Sequence, residues 1–400
     1  MKREIISPKT EEKLLELAGK VEMNPYLQVI KRVSKDLLAL TIVGSILALV
    51  NTRLASDNLV NLTSISIALI GILFIVNLND EVNKIWESKT NKYLVINLLA
   101  IIALLYDFGK SEFDLSKLGT RGIILSLIFV PINIKYARKI EAKIDQIIGD
   151  KIPFGAKDSL IEVIVLMIFG LIYTIISYIS VKVFDMSLAS AIFYLIDPVL
   201  NIFDQALVLG ILVFIIQIYW WLGVHGDSIV DPFILPLAIR NINENIINLS
   251  RGLELDHIFT EAFLSNFLLL SGSGLTIGLI IILLAKKGNP FYELGQMSIK
   301  PAMLGINENI VFGIPLTKNK DFFIPFVIGP SLMAVLVSLA FKYGYIGKAI
   351  IQPVGGLPFF VQGFLMNLSL KSTLVQLVII ALATLIYSPF ALKLIKENKN

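Results

Sequence analysis

The chain is 400 residues long, 56% hydrophobic and only 16% charged, where soluble domains average about 45–50% apolar and 25% charged. A mean hydropathy of +0.77 places it in a lipid bilayer, and its net charge of +4 reports membrane topology rather than affinity for nucleic acid. Zero cysteines exclude disulfides, thiolate metal sites and a cysteine-based covalent intermediate on this chain, and two histidines are too few for a His-rich metal site, so no cofactor or metal is expected.

Residues 1–34 hold no continuous apolar h-region, so no cleavable signal is expected. Leu14, Leu17, Ala18 and Val21 fall on one helical face opposite Glu12, Lys13, Glu16 and Lys20, the pattern of an amphipathic cytoplasmic segment. Such a helix lies on the membrane surface or packs on the protein itself, and the pattern suits both.

Apolar blocks follow at residues 37–50, 64–78, 93–105 and 161–181 within an N-terminal transmembrane half, 35–200. A second half, 201–400, holds blocks at 206–222, 268–285, 322–340 and 374–392. With their flanks these blocks reach spanning length, and about ten passes or partial passes are predicted. The fold class is therefore an all-α polytopic membrane protein, with about ten transmembrane helices.

Basic residues set the orientation. Lys2, Arg3, Lys9, Lys13, Lys20, Lys31, Arg32 and Lys35 crowd the N-terminal segment, and Lys135, Arg138, Lys139, Lys143, Lys151 and Lys157 crowd one loop. By the positive-inside rule both face the cytoplasm, together with the tail bearing Lys393, Lys396 and Lys399. The connections 51–58, with Arg53 alone, and 184–205, with no Lys or Arg, suit the outer side. Both termini are thus predicted to be cytoplasmic.

The second half interrupts its apolar stretches with Pro, Gly, Asn, Asp and Glu at membrane depth. Irregular backbone survives there only where protein or a water-filled cavity surrounds it, and broken segments build transporter binding sites. Residues 220–236, WWLGVHGDSIVDPFILP, are expected to break at Gly223, Gly226 and Pro232. Residues 301–316, PAMLGINENIVFGIPL, read as a re-entrant hairpin with Asn307, Glu308 and Asn309 at its polar tip. Residues 351–365, IQPVGGLPFFVQGFL, carry too much Pro and Gly for a continuous helix.

Glu308 is the most informative of these residues, because a carboxylate in an apolar hairpin costs roughly 2.5–3.5 kcal/mol even on insertion scales. It is a functional-site candidate, with helix capping as the alternative. His225, flanked by Gly223 and Gly226, can donate to and accept from a hydroxyl-rich ligand, although a lone histidine beside an apolar run is more often a satisfied core residue. Asp227 can pair with His225, bind hydroxyls or cap a helix; Asp231 reads as a cap or a solvated group. Trp220 and Trp221 fit an interfacial belt better than a sugar-stacking face, and His257 reads as an interfacial or loop residue. No Walker A, GxGxxG or HExxH motif is present.

The segment GINENIVFGIPLTKNKDFFIPFVIGP resembles the signature of sugar-specific enzyme IIC of the phosphotransferase system (PTS), in its lactose/cellobiose/diacetylchitobiose family, through Asn307, Glu308, Phe312, Gly313, Pro315, Phe323, Ile324, Pro325 and Phe326. WWLGVHGDSIV is similar to that family's G-[IV]-H-G motif at His225 and Gly226, MNPYLQVIKR resembles the start of its first span, and TLIYSPFALKLIK resembles its final helix. The resemblance implies a homodimeric permease of the bacterial plasma membrane with about ten transmembrane helices and two re-entrant hairpins, its half 35–200 carrying dimerisation and its half 201–400 the sugar site, that binds a β-linked disaccharide such as cellobiose or lactose. It implies phosphorylation on the sugar's 6-hydroxyl by a cysteinyl phosphate of enzyme IIB, with IIA and the general PTS proteins upstream. It implies that His225 and Glu308 bind sugar hydroxyls, with Asn307, Gly226 and Asp227 beside them, and that Glu308 orients the 6-hydroxyl or accepts its proton as a catalytic base. Phosphotransferase activity would then exist only together with enzyme IIB, this chain being the permease. Two departures stand out: the family's N-E-P is Asn307-Glu308-Asn309 here, and its P-W-T-T-P tryptophan is replaced by Val354. The residues alone also suit a proton-coupled secondary transporter, since a lone intramembrane carboxylate serves a proton relay equally well, or a non-transporting sugar sensor.

Overall fold

The computed structural model describes residues 5–87, 92–107, 113–148 and 154–398. Lys2, Arg3, Lys151 and Lys399, counted above among the cytoplasmic charges, lie outside them. Among the described residues the chain is helical and contains no β-strand. In order the helices are α1 (Pro8–Met23), α2 (Pro25–Leu38), α3 (Thr41–Leu54), α4 (Asp57–Ile85), α5 (Leu94–Leu105), α6 (Ser116–Gly119), α7 (Arg121–Ile148), α8 (Phe154–Phe184) and α9 (Leu188–Leu200). There follow α10 (Ala206–Leu222), α11 (Gly226–Ser250), α12 (Glu261–Phe263), α13 (Ile277–Ala285), α14 (Tyr292–Met303), α15 (Glu308–Gly313), α16 (Gly329–Lys342), α17 (Phe359–Leu365) and α18 (Leu370–Glu397). Five helical stretches are long and apolar enough to cross a membrane, Pro25–Leu54, Asp57–Ile85, Ala156–Phe184, Ile324–Lys342 and Leu370–Glu397, and two bent helix pairs raise the number to seven. The expected all-α polytopic membrane fold is the observed one.

The chain divides into two compact units. One comprises Pro25–Leu200 and Leu235–Glu254. Hydrocarbon offers no water to backbone or side-chain polar groups, so helices there are joined by small residues and by polar groups that satisfy one another. Both devices are present. A Cβ on Gly71 would lie 2.0 Å from the Leu118 carbonyl oxygen and one on Gly119 1.9 Å from that of Ile67, so α4 and α6 meet backbone to backbone. Asn97 of α5 donates to Asn79 of α4 at 2.9 Å, Asn133 of α7 donates to Asn97 at 3.0 Å, and the Tyr173 hydroxyl of α8 donates to Asn133 at 2.5 Å. All four side chains are buried, so one amide chain ties four helices together. Buried Arg240 bonds Asp197 at 3.0 Å and Glu244 at 3.1 Å, with its guanidinium over the Phe193 ring.

The other unit comprises Met1–Asn24, Asn201–Ile234 and Leu255–Asn400. Here α10 packs along α16, and α13 along α18, where a Cβ on Gly278 would lie 2.6 Å from the Ala383 backbone. Helix α1 lays Ala18, flanked by Leu14 and Val21, against Tyr219 and Ile229. Its apolar face therefore packs on the protein, and Lys318 ion-pairs with Glu11 at 2.5 Å from the same unit.

Two expectations about helix breaks need correction. Residues 268–285 do not form one simple span: a π-helical turn (Leu264–Leu268) and a short 3₁₀ turn (Ser273–Leu275) precede α13, with a bend of 56°. The cause is the run Ser271-Gly272-Ser273-Gly274, where Ser271, Gly272, Gly274 and Leu275 all adopt positive φ. Conversely, the break expected at Gly223, Gly226 and Pro232 is confined to residues 223–225, and α11 runs on through Gly226 and Pro232. Gly223 at φ +90° ends α10, whereas a proline early in a long helix removes one N–H and the helix absorbs the loss.

Candidate functional site

The sequence-predicted residues cluster at two places in the second unit, one at the joint between α10 and α11 and one at the tips of two hairpins. At the joint, Gly226 starts α11 directly on α10: a Cβ there would lie 2.0 Å from the Ile216 carbonyl oxygen. No larger residue fits without separating the helices. That approach, with the left-handed Gly223, projects His225 into an exposed position between them. The imidazole packs on the Trp220 ring with centroids 4.3 Å apart and makes no hydrogen bond to the described residues, leaving both nitrogens available. Asp227 accepts a hydrogen bond from the Trp220 indole N–H at 3.2 Å, which fixes the ring beneath His225.

Trp221 joins this region to the segment following α15. Its indole N–H donates to the Asn319 carbonyl at 3.0 Å, and its carbonyl accepts from the Lys318 N–H at 2.7 Å. Trp220 and Trp221 are 3% and 4% exposed, so the expected interfacial belt is wrong for both. Their indole N–H groups find protein partners, which lets the rings sit inside the fold.

At the second place, α14 and α15 form a hairpin whose turn ends in Asn307, and the loop 271–276 meets that turn. The buried Asn307 amide donates to the Ser273 carbonyl at 2.6 Å and to the Thr276 hydroxyl at 2.7 Å. Gly272 permits the approach, since a Cβ on it would lie 2.6 Å from the Asn307 side-chain oxygen. Behind the loop, Tyr387 donates to the Gly274 carbonyl at 2.7 Å, and the Phe326 ring lies 2.3 Å from where a Gly274 Cβ would be. The two tips are interlocked, and Asn307 is the clasp.

Glu308 follows Asn307 and opens α15. Its Oε2 is buried and has no hydrogen-bond partner, and its side chain forms no ion pair with the described residues. A cap would engage backbone N–H groups; this oxygen engages none, which speaks against capping as its role. A buried carboxylate oxygen without a partner is costly unless something else supplies the donor. Asn309 and Val354, the two departures from the resembled motifs, are exposed.

Asp231 departs from expectation, whereas His257 lies in a loop, one of its two expected placements. Asp231 is 4% exposed within α11 and is not a solvated group. His257 is also buried: its Nδ1 is 2.8 Å from the Asp204 carboxylate, whose other oxygen accepts from the N–H groups of Ile258 and Phe259. That histidine holds an irregular segment in place of helix. Sequence reading missed Ser273 and Thr276 as the partners of Asn307, although the Ser-Gly-Ser-Gly run between apolar stretches was the available signal. It also missed Gln217 of α10, fully buried with neither amide atom hydrogen-bonded among the described residues. No group of three His, Cys, Asp or Glu side chains converges among the described residues. The arrangement therefore offers hydroxyl recognition by one exposed imidazole and one unsatisfied carboxylate.

The family model described as "Phosphotransferase system, EIIC" matches residues 37–330. The oligo-beta-mannoside-specific EIIC component of the PTS of Bacillus subtilis (strain 168) is 25% identical, over 96% of this chain and 93% of that protein. The lactose-specific EIICB component of Staphylococcus aureus (strain COL) is 28% identical over 64% of this chain, and the match spans 46% of that protein's length. In three dimensions the chain is similar to the crystal structure of ChbC, the IIC component of an N,N'-diacetylchitobiose-specific PTS, with a TM-score of 0.81, 20% identity and coverage of 97% and 98% of the two chains.

Proposed function

The chain belongs to the phosphotransferase system EIIC family, the membrane permeases of sugar uptake, and on that footing we propose that it carries a β-linked disaccharide across a bacterial plasma membrane for phosphorylation by enzyme IIB. The observation that carries the site assignment is the buried Oε2 of Glu308, which has no hydrogen-bond partner among the described residues. A sugar hydroxyl supplies the donor that this oxygen lacks, and His225 supplies a second polar contact. Trp220, buried beneath His225 and held by Asp227, positions the imidazole for that contact.

In this reading the 6-hydroxyl oxygen attacks phosphorus of a cysteinyl phosphate on enzyme IIB, the P–O bond forms as the S–P bond breaks, and the hydroxyl proton passes to Glu308. The thiolate leaves on IIB, consistent with a chain that has no cysteine of its own. Phosphoryl transfer depends largely on positioning and electrostatics, so orienting the hydroxyl is itself a catalytic contribution. IIA and the general PTS proteins recharge IIB, the termini face the cytoplasm, and the permease works as a homodimer.

The relatives named for oligo-beta-mannoside, lactose and N,N'-diacetylchitobiose share a β-linkage, which is the basis for the proposed substrate class. Equilibrium binding of cellobiose, lactose and maltose to the purified chain tests it. Saturable binding of one or both β-linked sugars, with none for α-linked maltose, is expected; preference for maltose would contradict the proposal.

A further inference from the structure

Away from these residues, the unit built from Pro25–Leu200 and Leu235–Glu254 contains an amphipathic cleft of two adjoining parts between the start of α5 and the facing ends of α7 and α8. Its inner part is a cavity of 240 Å³, well above the ~150 Å³ that accommodates a benzene molecule in a dry protein interior, and its walls include Val95, Val163 and Leu166. Its outer part measures 530 Å³ and is charged. Lys92, Tyr93 and Glu141 line both parts, so the two lie side by side.

The charges at the mouth divide into committed and uncommitted groups. Lys92 ion-pairs with Glu141 at 2.6 Å and Lys157 with Asp145 at 2.6 Å; Tyr93 also donates to Glu141. Arg138 forms no ion pair among the described residues, and neither do Glu87, Asp158 and Glu162. Among the described residues, a guanidinium without an ion pair therefore stands among carboxylates without one, above an apolar cavity, in a chain that lives in lipid. A phosphate ester matches the guanidinium, an ammonium matches the carboxylates, and an acyl chain matches the cavity.

We propose that this cleft is a binding site for a zwitterionic, amine-bearing phospholipid, with its phosphate on Arg138, its ammonium on Glu162 and Asp158, and one acyl chain between Val95 and Val163. An anionic headgroup without an amine satisfies Arg138 but meets the surplus of carboxylates, so the site discriminates by headgroup.

Native mass spectrometry of the full-length protein, released from membranes in mild detergent and titrated with phosphatidylethanolamine or phosphatidylglycerol, tests this. One phosphatidylethanolamine per chain is expected to survive delipidation, with phosphatidylglycerol held clearly more weakly. Arg138→Ala is expected to weaken retention about tenfold or more, the loss of a charge-assisted contact. Val163→Trp, which fills the cavity without touching the mouth, is expected to abolish it, with thermal unfolding of both variants near that of the parent. Equal retention by the parent and both variants, no retained lipid, or equal affinity for the two headgroups would overturn the proposal. Because the chain lacks cysteine, Val163→Cys gives a clean second measurement. Disulfide capture of two copies through this residue in native membranes would show that protein, and not lipid, fills the cleft.

Discussion

Glu308 and Asn307 are adjacent in sequence and do different work. Asn307 spends its amide on Ser273 and Thr276, whereas Glu308 has a buried oxygen with no donor among the described residues. Their substitutions should separate accordingly. Glu308→Gln keeps the side chain's shape and should leave the unfolding temperature unchanged, while weakening sugar binding about tenfold through loss of a charge-assisted hydrogen bond. Calorimetric titration alongside thermal unfolding checks both halves of that statement. Asn307→Ala strands the buried Ser273 carbonyl and should destabilise the protein by about 1–3 kcal/mol, seen as a lowered unfolding temperature even without sugar. Glu308 could be singled out in the sequence because a carboxylate in an apolar segment needs a reason. The partners of Asn307 could not, since a contact between residues 273 and 307 is tertiary.

At the scale of elements, the apolar periodicity and basic loops make the helices legible, and the Pro- and Gly-rich stretch near residue 355 is non-helical as its composition requires. The errors were about where helices break. Pro232 and Gly226 read as breakers but lie within α11, because Gly226 is small for a close helix contact and not for a turn. The Ser-Gly-Ser-Gly run read as part of a span but is the bent loop that grips Asn307. Gly274→Ala tests that reading: φ of +72° and the Phe326 ring at 2.3 Å leave no room for a methyl group. It should cost about 2 kcal/mol or more and weaken sugar binding as well, because the loop holds the residue next to Glu308. In the other unit, Asn97→Leu removes the central link of the amide chain, two bonds of about 0.6 kcal/mol each by membrane-protein averages. Loss of about 1 kcal/mol in a reversible unfolding assay is expected, with sugar affinity retained.

For the whole molecule, composition alone put the chain in a bilayer, and motif resemblance anticipated the EIIC family, which the match over residues 37–330 shows. The identity of the sugar is not written in composition or periodicity, because it depends on which hydroxyls meet His225, Glu308 and their neighbours. The direct measurement is phosphoenolpyruvate-dependent phosphorylation of radiolabelled cellobiose and lactose by membrane vesicles containing this chain, supplied with the general PTS proteins and matching IIA and IIB. A phosphorylated β-linked disaccharide that forms with the parent chain and is lost with Glu308→Gln is the predicted result. Accumulation of unmodified sugar driven by an imposed proton gradient, with no phosphorylated product under any of these conditions, would contradict the account.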